Sequence, residues 1–95
     1  MTIFALSSGP GLSGISVIRV SGKETKKVIE LLTKKKIPPP RVATLRKINK
    51  INTSELIDEG LILWFPGPES YTGEDMAEIH VHGSKAVVDA LHSSL

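Results

Sequence analysis

The residues best suited to do chemistry in this chain lie in Phe65–Gly83, FPGPESYTGEDMAEIHVHG. Glu78, His80 and His82 take every second position, and Ala77, Ile79 and Val81 fill the gaps. A strand sends alternate side chains to opposite faces, so the spacing predicts one apolar face and one carrying a carboxylate and two imidazoles. Three readings fit that face. An H-x-H pair with a carboxylate occurs at zinc and non-haem iron sites, although a metal needs further ligands and the remaining histidine, His92, falls late in the last helix pattern. A carboxylate also accepts two parallel N–H bonds from an amidine-like heterocycle edge, and an imidazole can stack or donate beside it. The plainest reading is an outward polar row on a half-exposed sheet. Arg19 is the second candidate. On a predicted strand over Ile15–Val20 it shares a face with Ile15 and Val17, where an unpaired charge is costly, so it is expected to be paired or to hold a ligand.

The elements that must position these groups are legible in outline. Thr2–Leu6 and Ile15–Val20 read as strands, joined by Gly9-Pro10-Gly11-Leu12-Ser13-Gly14. That loop matches G-x-G-x-x-G, but a strand follows it instead of a helix, so it is a hairpin loop and not a dinucleotide fingerprint. No P-loop motif occurs. A helix follows, with Ser21 and Glu24 as a capping box and Val28, Leu31 and Leu32 as its apolar stripe. Lys34-Lys35-Lys36 marks its end and Pro38-Pro39-Pro40 its stop. The lysine run reads first as a solvated helix end and second as a binding patch. Arg41–Ile48, Leu61–Phe65 and Met76–His82 read as strands, Asn49–Ser54 as a turn, and Trp64 as core or interface. Ser84–Leu95 reads as a helix with Val87, Leu91 and Leu95 in register, capped by Gly83 or Ser84. The order is ββαβββα. The last pattern reaches Leu95 without a stop signal, which suggests a fragment of a longer chain.

Ninety-five residues with 40% apolar content suit one small domain. No run approaches the roughly 20 apolar residues of a membrane helix. MTIFALSSG has neither a signal-peptide nor a transit-peptide pattern. The absence of cysteine excludes disulfides, thiolate metal sites and cysteine nucleophiles. The net charge of +2 hides an asymmetry. Residues 1–50 hold 11 Lys/Arg against 2 Asp/Glu, a net +9, and residues 51–95 hold 1 against 8, a net −7. The first expectation is that strands from the two halves pair and neutralise each other; the second is contact with nucleic acid.

TIFALSSG at Thr2–Gly9, VIRVSG at Val17–Gly22, PPPR at Pro38–Arg41, LIDEGLILWFPGP at Leu56–Pro68 and SYTGEDMAEIHVHG at Ser70–Gly83 occur in order. Together they resemble the N-terminal domain of the tRNA modification GTPase family called MnmE or TrmE, including its mitochondrial-type members. The resemblance spans nearly the whole chain. It implies an α+β fold, the ββαβββα folate-binding domain of tetrahydrofolate-dependent aminomethyltransferases, with a mixed sheet and helices on one side. It implies that residues 1–95 are a folate-binding and dimerisation domain without the family's helical and GTPase domains, not catalytic alone, in a protein that is a GTPase at full length. The implied cofactor is 5-formyl-tetrahydrofolate as one-carbon donor, with GTP, magnesium and potassium confined to the GTPase domain. The implied partners are a second copy, a flavin-dependent MnmG/GidA-type protein and tRNA, with no membrane. The implied product is an aminomethyl-type modification of the wobble uridine. Location would be mitochondrial in a eukaryote and cytoplasmic in a bacterium. The family's folate-contacting arginine falls on Arg19 and its glutamate on Glu78; no catalytic or metal residue is implied. Two departures stand out: the first loop lacks the family's arginine, and the usual HGG reads His82-Gly83-Ser84. A metal-dependent enzyme built on Glu78, His80 and His82 is the alternative.

Overall fold

The computed structural model describes residues 3–6, 14–53, 55–68, 70, 73–82, 87, 89–90 and 93. The elements are β1 (Ile3–Leu6), β2 (Ile15–Ser21), α1 (Thr25–Thr33), β3 (Thr44–Asn49), β4 (Leu56–Phe65) and β5 (Met76–His82). The strands form one sheet in the order β1-β2-β5-β4-β3. All four ladders are antiparallel, and the only parallel pairing among the described residues is a bridge between Pro40 and Trp64. The expected mixed sheet is therefore mixed only at that bridge, within an α+β arrangement. Val87, Asp89, Ala90 and Ser93 have helical backbone, in line with a helix after β5. The Gly83 or Ser84 cap, Leu91, Leu95 and most of the first hairpin loop lie outside the described residues.

One face of the sheet carries the core. Ile18 and Val20 of β2, Ala77, Ile79 and Val81 of β5, and Ile62 and Trp64 of β4 cluster with Ile48 and with Ile29 and Leu32 of α1. The helix differs from its sequence reading at both ends. Ser21 is the last residue of β2, in register with Ile3 and Met76, three residues before the N-cap position. Glu24 is the N-cap residue and makes no side-chain capping bond. The buried stripe is Thr25, Ile29, Leu32 and Thr33, while Leu31 is 39% exposed. Two threonines enter that stripe because their hydroxyls are satisfied. Thr33 Oγ1 donates back to the Ile29 carbonyl, and Thr25 Oγ1 shares its proton between the carbonyls of Gly22 and Asp75. The helix ends at Lys34, whose φ of 57° is left-handed, before the prolines are reached.

Strand β3 begins three residues later than Arg41. That arginine has φ 61°, a turn conformation, and its amide donates to the Trp64 carbonyl at 2.8 Å. Strand β4 begins five residues earlier than Leu61. The loop from β4 to β5 is tied down by Asp75. Its carboxylate accepts the Gly67 amide at 3.0 Å, and its carbonyl accepts the Gly22 amide at 2.9 Å. The FPGP and TGED segments thus hold the start of β5 against the turn that opens α1.

Candidate functional site

The second face of the sheet carries the groups singled out above. Opposed residues of antiparallel strands project to the same side. Arg19 stands opposite Glu78, which stands opposite Leu63 on β4. One row along, Val17, His80, Leu61 and Leu45 line up across β2, β5, β4 and β3. A short charged strip therefore runs between apolar walls, on the face turned away from α1.

The strip is internally bonded. Arg19 Nη2 donates to Glu78 Oε2 at 2.8 Å, and His80 Nε2 lies 3.1 Å from Glu78 Oε1. Glu78 is the most enclosed of the three, at 17% side-chain exposure against 25% for His80 and 38% for Arg19. Burial pushes the Glu78 carboxyl up, but hydrogen bonds from His80 and Arg19, together with their charge, outweigh it and leave the group below its ordinary value. A carboxylate has about four lone-pair sites, and Arg19 and His80 occupy one on each oxygen. The remainder can receive two N–H donors side by side, which is what an amidine-like heterocycle edge presents.

The structure brings Glu78 and His80 together and sends His82 elsewhere. His82 Nδ1 lies 2.9 Å from both Asp58 oxygens, and its backbone amide donates to Asp58 Oδ2 at 2.9 Å. Among the described residues no group of three metal-ligating side chains converges. Asp58 was missed by sequence reasoning, because the strand pairing that meets His82 is not encoded in any local spacing. The apolar walls of Leu61 and Leu63 were missed too, although alternation along β4 carried a signal for them.

Asp58 behaves like Glu78. Burial pushes it up, but bonds from the His82 amide, the His82 ring and the Glu59 amide outweigh that and hold it below the ordinary range. A carboxyl with a depressed folded-state pKa contributes stability that is full above its unfolded pKa and lost as pH falls through the folded one. Unfolding free energy is therefore expected to be level from neutral pH down to about 5 and to fall below about 4. Urea unfolding across that range should show Asp58→Asn with a shallower acid limb than the parent. Parallel limbs would remove Asp58 from the account.

The family model described as GTP-binding protein TrmE N-terminus matches residues 2–95. The tRNA modification GTPase MnmE of Pelagibacter ubique is 79% identical over 95 residues, covering 100% of this chain and 21% of that protein. The mitochondrial 5-taurinomethyluridine-[tRNA] synthase subunit GTPB3 of Danio rerio is 49% identical over 94 residues, 99% of this chain and 19% of that protein. The MnmE of Zymomonas mobilis is 50% identical over 94 residues, 99% of this chain and 22% of that protein. The chain thus spans about a fifth of the length of these relatives. No described helix is long and apolar enough to cross a membrane. With a family model covering residues 2–95 and relatives alike along the whole chain, this protein belongs to the TrmE N-terminal family of tRNA modification GTPases.

Proposed function

We propose that this chain is the folate-binding and dimerisation domain of a tRNA modification GTPase, holding 5-formyl-tetrahydrofolate as the one-carbon donor for wobble-uridine modification. The observation that carries the reading is the Arg19–Glu78–His80 strip, set between apolar strands with acceptor sites to spare on a half-buried carboxylate. In this reading Glu78 accepts the two N–H groups of the pterin edge. Arg19 reaches a pterin carbonyl or the carboxylate of the folate tail. Val17, Leu61 and Leu63 supply the apolar wall for the ring.

The same face supports dimerisation. Ile15, Leu45 and Leu61 lie on it at 59%, 57% and 39% exposure, and apolar groups left open on one sheet face mark an interaction surface. The GTPase activity belongs to the full-length protein, and the chain supplies the folate and the second copy. The flavin-dependent partner and tRNA join the full assembly. The higher identity to a bacterial relative favours a bacterial cytoplasm over a mitochondrion. Calorimetry with 5-formyl-tetrahydrofolate is expected to show saturable binding in the micromolar range that a chelator does not alter. Heat only in the presence of added zinc or iron would replace this reading with the metal-dependent one.

A further inference from the structure

Cross-strand pairing neutralises part of the basic half of the chain. Arg19 meets Glu78, and Lys50 pairs with Glu55 at 3.2 Å. The end of α1 is different. Strand β3 is an edge strand, and between it and the end of the helix lies a cleft of about 350 Å³ lined by Lys34, Lys35, Arg46, Lys47 and Glu59 among others. A second, more open cleft of about 650 Å³ shares Lys34 and Lys35 and adds Lys26, Lys36 and Glu30. The two make one surface with six cations and two carboxylates. One of those carboxylates is already engaged, since Glu30 Oε2 accepts the Ile37 amide at 2.9 Å.

The cations are positioned without being neutralised. Lys34 Nζ donates to the Ile51 carbonyl at 2.9 Å, which fixes the ammonium and leaves its charge. Arg46 Nη1 donates only to the adjacent Leu45 carbonyl, and its buried Nε has no partner among the described residues. Lys26, Lys35, Lys36 and Lys47 form no ion pair among the described residues. The negative end of the helix dipole is blunted, because Asn49 Nδ2 donates to the Leu32 carbonyl and the Lys34 amide to the Glu30 carbonyl. A lone anion needs one such cleft. Two contiguous clefts match a polymer with regularly spaced charge.

We propose that this surface, the end of α1 with the β3 edge, docks the phosphodiester backbone of the RNA substrate. The proposal rests on the reading of the chain as part of a tRNA-modifying enzyme. Because Ile29 and Leu32 of α1 pack on Ile18 and Ile79, the lysines at the end of α1 lie on the side of the sheet opposite Arg19 and Glu78, while Lys47, which shares a face with Leu45, borders the cleft from the Arg19 side of the β3 edge. RNA docking and folate binding are therefore separable. Lysine contacts to phosphate carry no sequence information and weaken with salt, each contributing about 0.7–0.9 to the slope of log affinity against log salt.

The test is fluorescence anisotropy of a labelled tRNA transcript with the protein at its full natural length, over a range of salt. Lys26, Lys35 and Lys36 are all exposed, so replacing them with glutamine leaves the core untouched. Lys26→Gln/Lys35→Gln/Lys36→Gln is expected to weaken binding about tenfold or more at 0.1 M salt and to reduce the salt slope by about 2. Lys23→Gln/Lys27→Gln removes two exposed lysines that line neither cleft, and is expected to change neither quantity. Equal losses in the two variants, or an unchanged slope in the first, would overturn the surface while leaving the tRNA reading intact. No binding by the parent protein would overturn both. Folate affinity is expected to be unchanged in every variant, and its loss alongside RNA binding would overturn the separation of the two sites.

Discussion

Replacing Gly60 with alanine is expected to destabilise the fold by about 3 kcal/mol and to lower Tm by roughly 15 °C. The cause is space. A Cβ built on Gly60 lies 2.1 Å from the His80 carbonyl oxygen, 3.2 Å from its carbonyl carbon and 3.3 Å from Val81 Cγ1. The oxygen belongs to the backbone of the central strand β5, so no rotamer change relieves the clash. Relief requires β4 to move away from β5 where the Leu61–His80 and Ile62–Ile79 pairs are made, and those pairs border both the core and the charged strip. Loss of a few kcal/mol is a large part of the total stability of a domain this size. Gly14→Ala is the matched control, because nothing lies within 4 Å of its Cβ position. Thermal melts followed by circular dichroism decide the matter: the Gly60 variant should fall far below the Gly14 variant, and coincident melts would show that β4 and β5 part at little cost.

Gly60 also shows where the sequence is legible and where it is not. A lone glycine inside a strand pattern signals a bulge or a close approach, yet nothing local says which backbone approaches it. Met76–His82 was legible to its ends, because alternation over seven residues states both the strand and its two faces. Trp64, readable from the sequence only as core or interface, is core at 6% exposure. The α1 boundaries were not legible. The Ser21/Glu24 spacing satisfied a capping pattern, but β2 runs on through Ser21 and the N-cap falls on Glu24, a boundary set by strand pairing that no local motif records. The inward threonines of α1 escaped an apolar count because their burial depends on distant acceptors such as the Asp75 carbonyl. In the site, Arg19 and Glu78 were each visible as a charged residue on a patterned strand. That they stand opposite one another follows from the β2–β5 register, which joins residues 59 positions apart in the chain. His82 is the converse case. Its period places it with His80, whereas Asp58 on β4 holds its ring.

Replacing Glu78 with glutamine is expected to weaken 5-formyl-tetrahydrofolate binding by about tenfold to a hundredfold, since hydrogen bonds to a charged group contribute about 1.5–3 kcal/mol and each 1.4 kcal/mol is tenfold. The substitution keeps size and shape. It turns one oxygen into a donor, so one pterin N–H meets another N–H instead of a lone pair. Arg19→Ala is expected to have a similar effect, by removing its own contact and by releasing Glu78 from its guanidinium partner at 2.8 Å. Because the two side chains touch, their losses should not add: the double variant is expected to bind less weakly than the two single effects predict. Stability separates this role from a merely structural one. The Arg19 guanidinium is more than a third exposed, so the ion pair contributes about 1 kcal/mol or less to folding, and each variant should melt within a few degrees of the parent. The strip, as a ligand site, thus requires a large change in calorimetric affinity beside a small change in Tm. Lowered melting temperatures with unchanged folate affinity would reduce Arg19 and Glu78 to a cross-strand tie between β2 and β5 and remove the folate from this face.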